Sequence, residues 1–209
     1  MIPENLTAPK KKIDVVLDTD TFNEIDDQFA TAYMLRSNDK LNTAAIYAAP
    51  FFNKHSSSPA DGMEKSYEEI FKVVHLCGIT DLDDRIFRGS DRFLADEKTP
   101  VISDAAKDLA NRAMNYTPEN PLYVIAIAAI TNVASALLLR PEIADRIVIV
   151  WLGGHAHHLN NTNEFNMGHD IAAARVCMGC GCAFVQLPCS GVVSQFATTG
   201  PELDFWLTG

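Results

Sequence analysis

The 209-residue chain reads as an α/β protein built on a Rossmann-like, mainly parallel sheet with helices on both faces. Strand-sized apolar runs alternate with helical patterns along the whole chain, as a parallel sheet with crossover helices requires. No internal repeat interrupts that alternation. Several apolar runs also stop abruptly in polar or glycine-containing turns, most sharply where Val15-Val16-Leu17 meets Asp18.

The first strand ends at that acidic turn, and Asp26 to Arg36 follows as a helix. Apolar residues at Phe29, Ala30, Ala32, Tyr33, Met34 and Leu35 predict a broad buried face for it. Leu41 to Ala49 is a second strand, stopped by Pro50, and Phe51 to Gly62 reads as a polar loop. Met63 to Cys77 carries Ile70, Phe71, Val73, Val74 and Cys77 at helical spacing, with Gly78 as its cap. An acidic turn at Asp81 to Asp84 precedes a short strand at Ile86-Phe87, and a helix follows at Ile102 to Met114. Leu122 to Ala128 is a strand; Thr131 caps the helix Asn132 to Leu139, and Pro141 lies beyond its end. Ile147 to Leu152 is another core strand, closed by Gly153-Gly154, and His155 to Asn163 is a polar loop. Asp170 caps a helix to Met178, Ala183 to Leu187 is a further strand, and a last helix begins at Pro201.

Residues 1–209 suit one well-packed domain and not two. A formal charge of −10 argues against nucleic acid or an anionic membrane as the main partner. The longest apolar run, Leu122 to Ile130, falls far short of the roughly 20 residues that span a bilayer. Met1 to Lys12, with Pro3, Pro9 and three lysines, lacks the apolar core of a secretory signal and reads as a solvated lead-in. Five cysteines, an odd number, then fit reduced thiols and a cytoplasmic setting. Cys177, Cys180 and Cys182 close a helix and open a strand, where cysteine behaves as a small buried hydrophobe rather than as part of a metal cluster.

Chemistry concentrates at Asp18, Asp20, Glu24, Asp26 and Asp27. Five carboxylates on so short a segment repel one another unless they are solvated, protonated or bound to a cation. Ligands in open α/β sheets bind outside the carboxyl ends of the strands. Ile130-Thr131-Asn132 and His155 to Asn166 follow other strands, so a parallel sheet brings all three segments to one edge. Calcium, which takes six to eight oxygens from carboxylates and carbonyls, suits the acidic turn. Helix capping accounts for Asp26 and Asp27, at about 0.3–1 kcal/mol each, but leaves Asp18 and Asp20 unexplained.

These segments resemble the inosine–uridine nucleoside hydrolases, which cleave the N-glycosidic bond of ribonucleosides. That family opens on a strand followed by D-x-D-P-G-x-D-D; here Asp18-Thr19-Asp20-Thr21-Phe22-Asn23-Glu24-Ile25-Asp26-Asp27 is longer, with Thr21 in place of the proline. Ile130-Thr131-Asn132-Val133-Ala134 is similar to the family's L-T-N-[IV]-A segment. Gly153-Gly154 followed by Glu164-Phe165-Asn166 is similar to its G-G…E-F-N segment, and Asp170 to Arg175 to the D-x-x-A-A-R pattern after it.

The resemblance implies a calcium cofactor ligated by Asp20, Asp27 and the carbonyl of Thr131. It implies that Asp20 also takes a proton from the attacking water, and that Asp26, Glu164 and Asn166 hold ribose hydroxyls. Asn53 matches a further sugar-binding asparagine, and Asn160 or Asn161 substitutes for one at a position that here is His158. The histidines at 155, 157 and 158 are either a source of a proton for the departing base or a solvated loop. A small ribonucleoside is the expected partner, and a homo-oligomer is compatible with the resemblance. The family's last calcium ligand, an aspartate in a late His-Asp segment, has no counterpart here, so the expectation is a C-terminally truncated or an incomplete site. Two alternatives stay open. Val16 to Thr21 also fits the h-h-D-x-D-x-T opening of haloacid-dehalogenase-like phosphatases, although no acidic pair follows Leu152; the other is a non-catalytic sugar-binding remnant of the hydrolase family.

Overall fold

The computed structural model describes residues 6–207, so Pro3 of the basic lead-in and the last two residues lie outside the described range. In chain order the elements are β1 (Ile13–Thr19), α1 (Ile25–Arg36), β2 (Leu41–Ala48), α2 (Pro59–Leu76), β3 (Ile86–Arg88), α3 (Asp104–Arg112) and β4 (Leu122–Ala126). They continue with α4 (Thr131–Leu139), β5 (Ile147–Leu152), α5 (Phe165–His169), α6 (Ile171–Gly179), β6 (Ala183–Leu187) and α7 (Gly200–Leu207).

The strands form a single sheet in the order β3-β2-β1-β4-β5-β6, and every pairing is parallel. The α/β, Rossmann-like prediction therefore holds. The chain runs outward from β1 to β3, then returns to the other side of β1 with β4. In such sheets the point where the strand order reverses opens a crevice at the carboxyl ends. Here it lies between β1 and β4.

Alternation along the strands builds two cores. Val16, Ala45, Tyr47 and Val124 face one side and pack with Leu109, Val133, Leu137, Ala173 and Cys177 from α3, α4 and α6. Val15, Leu17, Ile46 and Ala48 face the other and pack with Met34, Leu35, Met63, Ile70 and Val74 from α1 and α2. Strands covered on both faces read as continuous apolar runs, which is why β1, β4 and β5 stand out in the sequence.

Several local expectations change. α2 starts at Pro59, inside the predicted loop: the Ser58 side chain accepts the Asp61 N–H at 3.1 Å, and proline occupies the first helical turn. Gly62 looks like a loop residue because of its type, yet it is helical. A Cβ there would lie 2.2 Å from the Phe51 carbonyl oxygen, so the helix backbone approaches that loop as only glycine allows. α1 lacks the broad buried face expected of it: Phe29 and Tyr33 are 54% and 74% exposed, and Asp27, Thr31, Met34 and Leu35 form the buried stripe. β4 ends at Ala126, two residues before the predicted end at Ala128. α5, a single turn after Glu164, has no periodicity to announce it. Among the described residues, no helix is long and apolar enough to cross a membrane.

Candidate active site

The carboxyl ends of β1, β2, β4 and β5 meet around the β1–β4 crevice. Past Thr19 the backbone turns tightly, the Asn23 N–H donating to the Asp20 carbonyl at 2.7 Å. Asp18, Asp20 and Asp27 are all buried, while Asp26 is exposed. The Asn23 amide donates to Asp20 Oδ2 at 3.1 Å, and the Asn53 amide donates to Asn23 Oδ1 at 2.6 Å. Asp27 Oδ1 accepts the Thr19 hydroxyl through a short contact, and Asp26 Oδ1 accepts the Asp27 N–H at 3.1 Å. The chain Asp20–Asn23–Asn53 thus joins the turn after β1 to the loop after β2.

Burial dominates the electrostatics. It pushes the Asp20 carboxyl well above its ordinary range, and the neighbouring Asp27 charge adds to the effect. Asp27 is raised to about 7, first by burial and then, against the Thr19 hydrogen bond, by the charges of Asp26 and Glu24. Asp18 is likewise raised to about 7 by burial, and the Asn132 amide only partly offsets this. Asn132 Nδ2 donates to Asp18 Oδ1 at 2.8 Å and to the Ala48 carbonyl at 3.1 Å, leaving Asp18 Oδ2 buried without a hydrogen-bond partner.

Thr131 does not cap α4. It is the first helical residue, and its hydroxyl donates to Asp170 Oδ2 at 2.7 Å. Asp170 also accepts the Leu94 N–H and caps α6 through the Ala173 N–H, both at 2.8 Å, so one buried carboxylate links three segments. The Thr131 backbone begins α4 just past β4, on the strand adjacent to β1.

Glu164 caps α5. Its Oε2 accepts the Gly154 N–H at 2.7 Å and the Met167 N–H at 2.8 Å, and its Oε1 accepts the Asn166 N–H at 3.0 Å. The Asn166 amide donates both its hydrogens, to the Ile127 and Leu152 carbonyls at 3.0 Å each, bridging the ends of β4 and β5. Asn160 lies exposed on the loop between β5 and α5. In that loop the Ser190 N–H donates to His155 Nδ1 at 3.2 Å, and His155 Nε2 lies 3.1 Å from the Asn163 carbonyl. His157 Nε2 lies 3.2 Å from Gln186 Oε1 on β6.

Sequence reasoning passes over Asn23, Thr19 and Asn132, which hold the aspartates in place. Their only signal is adjacency to the acidic motif and to Thr131. The donors at the turn are all oxygen, with Asp20 and Asp27 as buried carboxylates that repel one another, although among the described residues no group of three or more His, Cys, Asp or Glu side chains is gathered to hold a metal ion. Buried carboxylates of this kind suit a hard cation, and Asp18, held by Asn132, keeps one buried oxygen without a hydrogen-bond partner.

Comparison with known proteins bears on the family and the fold. The profile described as inosine-uridine preferring nucleoside hydrolase matches residues 15–208. The structure is similar to a purine-preferring ribonucleoside hydrolase from Gardnerella vaginalis, with a TM-score of 0.64 and 18% identity over 83% of this chain and 60% of that one. A plant nucleoside hydrolase gives 0.62 and 23%, over 86% and 60%. An inosine-uridine preferring nucleoside hydrolase from Bacillus anthracis gives 0.63 and 14%, over 93% and 69%. At these identities the likeness is one of fold. The chain spans about 60% of the length of the first two of these relatives. No curated protein sequence matches it.

Proposed function

Because the chain belongs to the inosine-uridine preferring nucleoside hydrolase family, we propose that it hydrolyses the N-glycosidic bond of ribonucleosides to free base and ribose. The observation that carries this reading is the buried Asp20–Asp27 pair at the β1–β4 crevice, tied through Asn23 to Asn53. Asp20, Asp27 and the Thr131 carbonyl would hold calcium, which supplies Lewis acidity and eases loss of a proton from water.

The chain's own groups carry the remaining roles. Asp20 Oδ2 is engaged by Asn23, so in this reading Oδ1 would accept the proton from attacking water. Water attack at the anomeric carbon without a glycosyl-enzyme inverts that centre. Glu164 Oε1 accepts one backbone N–H and keeps a lone pair for a ribose hydroxyl. Asn166 spends both amide hydrogens on backbone carbonyls, so its Oδ1 is left to accept a second hydroxyl. Asp26 offers Oδ2 from an exposed position, and Asn53 retains one amide hydrogen. Carboxylates around the sugar favour the positive charge that develops in an oxocarbenium-like transition state.

The test is release of base from inosine and from uridine by the chain, in calcium and in chelator. Hydrolysis that chelator abolishes and calcium restores is the expected result. Hydrolysis undiminished by chelator refutes the calcium assignment, and no base release from either nucleoside refutes the hydrolase reading for this chain.

A further inference from the structure

Several distant segments meet where α5 gives way to α6. His169 is the last residue of α5, and Asp170 caps α6. His169 Nδ1 lies 2.8 Å from the Phe165 carbonyl, one turn back in the same helix. Its Nε2 lies 2.8 Å from the carbonyl of Phe52, in the loop after β2, and 3.4 Å from the Phe52 backbone nitrogen. The imidazole also packs against two rings, Phe165 at 4.1 Å and Phe93, in the loop after β3, at 5.2 Å between centroids. Next to Phe93, the Leu94 N–H donates to Asp170. Two consecutive residues therefore tie the loops after β2 and β3 to the helices that follow β5.

The imidazole can keep its tie to Phe52 with or without the second proton. Each ring nitrogen faces a carbonyl oxygen, and an imidazolium donates to both. A neutral ring with its hydrogen on Nδ1 still donates to Phe165, and Nε2 then accepts the Phe52 N–H. Among the described residues, no other hydrogen bond joins the loop after β2 to α5. The tie spans the two groups of residues that the proposed function assigns to the sugar. Asn53 follows Phe52 and donates to Asn23, whereas Glu164 and Asn166 flank Phe165.

We propose that His169 is a positioning residue for the ribose: it clamps the loop carrying Asn53 against the helix carrying Asn166, so that the hydroxyl-binding groups keep one spacing before the sugar arrives. The role rests on the reading of this edge as a ribonucleoside hydrolase site. His169 makes no hydrogen bond to Asp20 or Asp27, so its loss should weaken ground state and transition state alike. Lost binding of that uniform kind raises KM and spares kcat. Preorganisation of this sort lowers the ordering cost that the ligand would otherwise meet on binding.

Two substitutions in the full chain separate the hydrogen bonds from the ring packing. His169→Phe keeps a ring against Phe93 and Phe165 but loses both polar nitrogens. It should raise KM for inosine about tenfold, with kcat within about twofold. Amide hydrogen exchange at His55 and Ser56, which bond to Asn53 at 2.8 and 3.2 Å, should quicken several-fold, while β1 and β4 keep their protection. His169→Gln loses the ring but keeps an amide donor for the Phe52 carbonyl, and should recover much of the KM and of the loop protection. Unchanged KM in His169→Phe overturns the positioning role, whether or not exchange quickens. A fall in kcat at constant KM, or His169→Gln as impaired as His169→Phe, overturns it too. If the unsubstituted chain releases no base, the hydrolase reading fails, and exchange in His169→Phe still decides the clamp: unaltered protection at His55 and Ser56 sinks it.

Discussion

Glu164, past the end of β5, accepts hydrogen bonds from three backbone N–H groups, whereas Asp20 and Asp27, past the end of β1, lean on the side chains of Asn23 and Thr19. Both ends are buried and acidic, and they lie on the same edge of the sheet. The β5 carboxylate is fixed by main chain that cannot move without unfolding α5. The β1 carboxylates crowd one another, and burial and mutual repulsion raise them. A carboxylate of the first kind suits binding and orienting a neutral hydroxyl. One of the second kind is poised to exchange a proton or bind a cation. On the proposed function, the polar residues at this sheet edge divide into anchors satisfied by backbone and proposed actors satisfied by side chains.

The sharpest way to break that division is Asp20→Asn. As the proposed proton acceptor, its loss should lower base release about 10²–10⁴-fold with the fold intact. Calcium-free stability should rise, since the repulsion on Asp27 is gone. Activity measured beside circular dichroism separates the two effects, and unchanged hydrolysis removes Asp20 from the mechanism. Glu164→Ala should do the reverse at the anchor, stranding three backbone donors and costing about 2–4 kcal/mol in urea unfolding. A loss below about 0.5 kcal/mol would show that water replaces the carboxylate there.

The pH dependence tests the β1 side alone. Asp18 and Asp27 rise from 3.8 to about 7 on folding. Between those values the native state binds more protons than the unfolded one, so stability in calcium-free buffer should fall as pH climbs from about 4 to about 7. The slope is at most about 1.4 kcal/mol per pH unit for each group. Asp27→Asn should reduce it, and a stability that increases over this window contradicts the raised values. The smallest effect is expected at the link between β1 and β2. Asn53→Ala removes the donor to Asn23 and should cost about 1 kcal/mol, read as a shift in the urea midpoint.

Much of the site is legible from residue type. The acidic run, Thr131 and Glu164-Phe165-Asn166 all follow apolar strands, and parallel strands converge at one edge whatever the details of packing. The supporting residues are less visible. Asn23 and Asn132 are ordinary turn or helix-start residues until the sheet brings Asp20, Asn53 and Asp18 within reach. Thr131 looks like a cap because threonine caps helices, but Asp170, distant in sequence, claims its hydroxyl. α1 misleads for a related reason: its apolar residues outnumber the positions that α2 and the sheet cover.

The sequence by itself determined the alternation of strand and helix, the polar strand ends and the family, because periodicity and short motifs are local. Tertiary structure alone decided the order β3-β2-β1-β4-β5-β6, which sets β4 rather than β3 on the side of β1 away from β2 and so opens the crevice there. It also decided which carboxylates are buried and which backbone groups satisfy them. Those outcomes depend on contacts between residues far apart in the chain, and no local pattern encodes them.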